Sequence, residues 1–333
     1  MAATKKGLPT ARGSSFQRQA SRLKSDIAQR LIEQGYDISS GLIQPPSDDK
    51  FNLRQLQSLA VNHKRSEARK YLGPKENHFL EHIANGYEVD PEKIFPHLIE
   101  IKAGSFNEKL FRYIALHWSI PVSSGYGRRI RFLVKDRQNG KVIGLIGLSD
   151  PVFALKSRDT WVGWDHIRRR DALYHVLDAF VLGAVPPYSQ LLCGKLIALL
   201  ALSNPIRRAF RRKYKDTKSI IRKRQRKPLL AMITTTSALG RSSVYNRLRV
   251  EDTTFWQSVG FTEGYGQFHF SNGIYARLHS FAKENCPPSA RNIAWGDGFR
   301  NKREVLKKAL PLLGLSKECP VQFKMKHSMA PIY

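Results

Sequence analysis

The sequence predicts an α+β protein in which a helical, basic N-terminal region precedes a mixed sheet flanked by helices and then a helical C-terminal extension. Three observations carry the prediction. Apolar residues recur at helical spacing in the first part of the chain, as in Leu23, Ile27, Leu31 and Ile32. Beyond the segment 118–130 (WSIPVSSGYGRRI) the texture changes, and 130–136 and 141–149 read as apolar strands joined through Asn139-Gly140, a two-residue hairpin signal. Residues 173–200 then read as a buried strand passing through a Pro-Pro turn into an apolar helix, and the rest of the chain is organised around them.

Taken in order, residues 1–14 read as a flexible basic tail, because they lack the apolar core of a secretory signal. Residues 15–120 form the helical region. Its second amphipathic face carries Leu53, Leu56, Leu59 and Ala60, with Pro45-Pro46 separating it from the first. A third helix is expected over 75–86, and Asp90-Pro91 followed by Ile94, Leu98 and Ile99 suggests a fourth. Arg18, Arg22, Lys24, Lys64, Arg65, Arg69 and Lys70 stud these helices, either as solvated faces or as a nucleic-acid contact surface.

Residues 121–273 form the α/β core. Val176, Leu177, Ala179, Phe180, Val181, Leu182, Ala184 and Val185 are almost continuously apolar, which in a strand means that both faces are covered. Pro186 and Pro187 then end the ladder, since neither has a backbone N–H. From Tyr188 onward Leu191, Leu192, Lys195, Leu196, Leu199 and Leu200 follow helical spacing, so a helix start with free N–H groups opens where the strand ends. Residues 229–239 (LLAMITTTSAL) give another buried strand, followed by a turn, a helix and two closing β segments. In the extension, 274–333, helices are expected over 274–283 and 300–313, and the last twenty residues show weak patterns.

Charge is the strongest compositional signal: 56 Lys and Arg stand against 27 Asp and Glu, a formal net charge of +29. Such an excess fits a polyanionic partner, nucleic acid in preference to a membrane surface. With 41% apolar and 10% aromatic residues the chain can bury a core. A membrane partner is not expected, as the apolar run at 191–202 contains Lys195 and is too short to span a bilayer. Cys193, Cys286 and Cys319 form no C-x-x-C pair, which argues against a disulfide framework and fits a reducing cytoplasm. Residues 207–227 hold twelve Lys or Arg with Asp216 as the single acid, and Arg222, Lys223, Arg224, Arg226 and Lys227, with Arg158 earlier in the chain, are candidate nucleic-acid contacts. No histidine pattern suits zinc, and no Walker loop is present.

Two clusters have chemical potential. Asp150, Asp159 and Asp165 bracket Arg158 and Trp164, and three carboxylates so close together suit Mg²⁺ for phosphodiester chemistry. Their spacing matches no named metal motif; Asp150 before Pro151 also reads as a turn initiator, and Asp159 as a partner of Arg158 or Arg168. The second cluster runs from Thr234, Thr235 and Thr236 through Ser237, Gly240, Arg241, Ser242, Ser243, Tyr245, Asn246 and Arg247. Hydroxyls and guanidinium groups where a strand meets a helix suit a phosphate or base edge, while Ser242 or Ser243 also reads as a helix N-cap and the threonines as strand formers. Tyr245 or Tyr188 is the candidate nucleophile for strand transfer. Tyr188, Ser189, Ser237, Arg241, Ser242 and Tyr245 are expected to converge on one cleft beyond two splayed strands.

The words AVPPYSQLLCGKLIALLA and YNRLRVEDTTFWQSVGF resemble the turn, cofactor helix and Gly-Phe strand of the GNAT acetyltransferase fold, over about residues 130–271. Acyl-CoA-binding members place glycines at two alternate turn positions; aligning Gly194 with the second leaves Leu192 at the first, which disfavours acetyl-CoA. At a finer level IGLIGLSDPVFALKSRDTWVGWD, LGAVPPYSQLLCGKLIALLA, ITTTSALGRSSVYNRL, VGFTEGYGQFHFS and AWGDGFRNKREVLKKALPLLGL resemble the DruA family of the Druantia anti-phage system and its stand-alone relatives. The resemblance implies a prokaryotic protein of defence or mobile elements, with other defence-system proteins as partners, and no established reaction. Three functions are therefore carried forward: DNA binding in defence, DNA strand cleavage or transfer, and GNAT-type acyl transfer.

Overall fold

A computed structural model of the chain describes residues 11–43, 50–218, 225–237, 242–246, 248–262, 273–287, 299, 302–315 and 325–331. The chain divides into two compact units, 1–59 with 265–323 and 60–264 with 324–333. No helix among the described residues is long and apolar enough to cross a membrane.

The first unit contains α1 (Ala11–Glu33), the opening turns of α2 (Lys50–Leu72), α10 (Ile274–Asn285) and α11 (Lys302–Leu312). Leu23, Ile27 and Leu31 lie four residues apart on one face of α1 and are buried, whereas Ile32, one step further round, is 60% exposed. Leu278, Phe281 and Ala282 of α10 are buried, Phe16 stacks on Phe281 at 5.6 Å, and Arg277 pairs with Asp26 at 2.6 Å.

The second unit is a seven-stranded mixed sheet flanked by helices. In chain order it comprises α3 (Glu76–Leu80), β1 (Pro96–Glu100), α4 (Phe106–Ala115), β2 (Arg129–Asp136), β3 (Val142–Ser149), α5 (Lys156–Val162), α6 (His166–Ala172), β4 (Val176–Ala184), α7 (Cys193–Leu200) and α8 (Asn204–Tyr214). There follow β5 (Met232–Ser237), α9 (Ser243–Asn246), the small pair β6 (Arg249–Val250) and β7 (Thr253–Thr254), β8 (Gln257–Thr262) and β9 (Met325–Pro331). The strand order is β1-β2-β3-β4-β5-β9-β8, with β4 and β5 parallel and the other neighbours antiparallel.

Every residue of β3 is buried, as its unbroken apolar run requires. On one face Ile146 and Leu148 pack with Ile197 and Ala198 of α7 and Ile206 and Phe210 of α8; on the other Val142 and Leu145 pack with Ala68, Leu72, Phe79 and the α4 residues Leu110, Phe111 and Ile114. Ser105 caps α4 by accepting from the Glu108 N–H at 3.3 Å.

Four local expectations change. The fourth helix is instead a short turn over Pro91–Lys93 followed by edge strand β1: the open side of β2 outweighs the helical spacing, and Pro96 sits at the first residue of an edge strand, where a missing N–H costs little. The β2–β3 connection is longer than two residues, because Asp136 and Lys141 pair across it, with the Asp136 N–H donating to the Lys141 carbonyl at 2.8 Å and Gly140 taking φ +73°. After the cis Pro186-Pro187 bond the chain turns through Tyr188–Leu192 before α7 begins at Cys193. Finally β9 lies in the stretch whose pattern was weak, yet it fills the place between β5 and β8.

Candidate functional site

The basic run begins on α8. Ile206, Ala209, Phe210 and Tyr214 are buried, so this helix presents Arg208, Arg211, Arg212 and Lys213 outward as a consequence of its amphipathic period. Arg212 pairs with Glu100, while Arg208 and Arg211 have no ion pair among the described residues. Lys213 donates to the Arg129 carbonyl at 2.8 Å, and burial followed by its neighbours Arg131 and Arg129 lowers its pKa against the pull of Glu100. Arg226 is committed to Asp171 at 2.5 Å, and Lys227 is exposed. Arg222, Lys223 and Arg224 lie outside the described residues.

The three aspartates do not share a metal site, and no group of three His, Cys, Asp or Glu side chains suited to a metal occurs among the described residues. Asp150 accepts from Arg128 Nε at 2.7 Å and from the Arg128 N–H at 2.9 Å. That guanidinium also donates to the carbonyls of Tyr174, Leu173 and Val176 and lies over the Tyr174 ring at 4.7 Å. Gly127, at φ +62°, is required here because any Cβ would strike the Asp150 carboxylate. Asp159 is buried, takes both Arg158 Nε and Nη2 at 2.9 and 2.7 Å, and takes Arg169 at 3.0 Å. Arg158 itself is 0% exposed and reaches the Val152 and Phe153 carbonyls, so it is a structural tie within the fold and not a contact for an outside phosphate. Asp165 caps α6, accepting from the Ile167 and Arg168 N–H groups; those backbone donors hold its carboxyl below the usual range.

Strands β4 and β5 pair only from Val176/Met232 to Ala179/Thr235 and then fork. The residues expected in one cleft are distributed around that fork. Tyr188 is fully buried and its hydroxyl donates to Asp136 at 3.0 Å, beside Asn139 in the β2–β3 turn. Tyr245 donates instead to the Leu182 carbonyl of β4 at 3.3 Å and tilts against Trp256 at 5.4 Å. The two hydroxyls therefore face different partners. Burial pushes both phenols up to about 12, which favours the neutral form over a nucleophilic phenolate. Ser189 is exposed, Ser237 ends β5, and Ser242 accepts from the Val244 N–H at 3.2 Å at the start of α9. The Ser243 side chain, Arg241 and Arg247 lie outside the described residues.

At the turn the N–H groups of Ser189, Gln190 and Cys193 donate to Val185, Pro187 and Tyr188 within the turn itself. Leu192 takes φ +61°, the left-handed conformation for which glycine is favoured, with its side chain 70% exposed.

One residue of chemical interest escaped the sequence reading. Asp178, in the middle of β4, accepts from Thr234 Oγ1 of β5 at 2.6 Å, and burial raises its carboxyl to about 6 against the opposing effects of Thr234 and Arg158. Its signal was a lone carboxylate inside the apolar run VLDAFVLGAV.

The family model described as DruA, Druantia protein DruA, matches residues 47–329. A Druantia protein DruA of Escherichia coli (strain UMEA 4076-1) is 40% identical over 294 residues, covering 88% of this chain and 73% of the relative. No solved structure matches the chain. With a match that takes in both the sheet and the basic helix, the chain belongs to the DruA family.

Proposed function

We propose that this protein binds nucleic acid, DNA in preference to RNA, in cytoplasmic anti-phage defence alongside other proteins of that system. The observation that carries the reading is α8: its apolar face is locked into the core, so Arg208, Arg211 and their neighbours are held outward beside Arg129 and Arg131 with few carboxylates to neutralise them. Like charges held together on a rigid element are stabilised by a polyanion, which also relieves the repulsion of a +29 chain. The family name points to the defence context. Binding is favoured over strand cleavage because Asp150, Asp159, Asp165 and Tyr245 are each engaged by protein partners.

We read the sheet as GNAT-like on its strand order and its β4–β5 fork. Acyl-CoA is disfavoured because the Ser189, Gln190 and Cys193 N–H groups are bonded within the turn, Leu192 stands at the left-handed position, and Tyr245 is bonded to β4 beyond the fork, where ligands of open sheets collect. The test is the salt dependence of duplex DNA binding by the parent and by Arg208→Gln/Arg211→Gln/Lys215→Gln, Lys215 being the exposed residue that ends α8, 3.8 Å from Asp216. Each lost phosphate contact flattens the log–log slope by about 0.9, so the triple variant should lose about 2.7. An unchanged slope would remove α8 from the interface.

A further inference from the structure

In the second unit a cavity of about 520 Å³ opens between the later turns of α2, α4, the segment 116–124 and the start of β2. Its size is within the roughly 300–1,000 Å³ of pockets that take small ligands. Its walls combine two chemistries. Tyr71, Trp118 and Phe180 contribute aromatic surface, and Lys64, Arg112 and Arg129 contribute positive charge. Tyr71 is 62% exposed, so its ring stands at the opening. Lys64 donates to the Val122 carbonyl at 2.8 Å and Arg65 to that of Leu116 at 2.9 Å, which ties α2 to the segment that forms the far wall. The one carboxylate in the lining, Glu67, is paired with Lys70 at 2.9 Å, and Arg112 and Arg131 share Glu108 at 2.9 and 2.7 Å, so Lys64 and Arg129 are the lining cations with no ion pair among the described residues.

The cavity lies on the face of the sheet opposite α8, and the two share one residue at the sheet edge. The Arg129 side chain lines it, while the Arg129 carbonyl accepts from Lys213 and from the Tyr214 hydroxyl of α8 at 2.8 and 3.1 Å. Flat aromatic walls beside cations are the arrangement on which bases of a single strand stack while the backbone is tracked electrostatically. A stacked duplex is excluded by the volume.

We propose that this cavity receives an unstacked base from single-stranded nucleic acid, a reading that rests on the proposed nucleic-acid binding and adds its strandedness. The experiment measures fluorescence anisotropy of a labelled single-stranded oligonucleotide and of the corresponding duplex with the full chain, Tyr71→Ala and Tyr71→Phe. Base stacking predicts that Tyr71→Ala weakens single-strand binding about tenfold while duplex affinity changes less than about twofold, and that Tyr71→Phe, which keeps the ring, binds like the parent. If Tyr71→Ala leaves single-strand binding unchanged, or weakens both ligands equally, the cavity is not a base receptor and the α8 reading stands. If the parent binds neither ligand, both readings fall.

Discussion

Asp178→Asn isolates the one strongly perturbed carboxyl of the β4–β5 pair. The residue lies where two parallel strands are still paired, its Oδ1 takes the Thr234 hydroxyl at 2.6 Å, and burial raises its pKa from 3.8 to about 6. The folded state therefore holds this proton more tightly than the unfolded chain does. Its stabilising effect is complete below pH 3.8 and is lost as pH rises through about 6. At about 1.36 kcal/mol per pKa unit, the ionised side chain costs about 3 kcal/mol near neutrality. Asparagine has the same shape, keeps an acceptor for Thr234 and never ionises. Urea unfolding followed by circular dichroism should show the variant about equal to the parent at the acid end of the window and up to about 3 kcal/mol more stable above it. Parallel pH profiles, or a variant less stable than the parent at pH near 7.5, would show that the carboxylate is held ionised by Arg158 and would refute the reasoning.

Arg158→Lys should cost roughly 2–4 kcal/mol, because an ammonium cannot reproduce the fork that joins Asp159 to the Val152 and Phe153 carbonyls, yet it should leave the salt slope of DNA binding unchanged. A weakened slope with normal stability would return Arg158 to the interface. Leu192→Gly should unfold at the same urea concentration as the parent or a higher one, since relief of about 1 kcal/mol of left-handed strain offsets the extra freedom of the unfolded chain. It should still fail to bind acetyl-CoA by calorimetry, because the Ser189, Gln190 and Cys193 N–H groups and Tyr245 keep their own partners.

Several features of this protein are legible in the amino-acid order because they depend on local period. The apolar runs of β3 and β4 announce buried strands, the charge excess marks the basic run, and the long words from residue 55 onward carry the family. The tertiary structure decided whatever depends on a partner far along the chain. β9 has a weak pattern of its own, yet the open edges of β5 and β8 supply both of its ladders. β1 became a strand because β2 offered an edge to a segment with helical spacing. Asp136 and Tyr188 are 52 residues apart, as are Tyr174 and Arg226, while Asp178 meets Thr234 across 56. A buried polar group takes the partner that the packing brings within about 3 Å, and no local pattern names that partner. For the same reason Arg158 and Asp159 read equally as a site and as a tie until the fold enclosed them, and the basic run read only as charge until the fold made its first part the helix α8 with one face in the core.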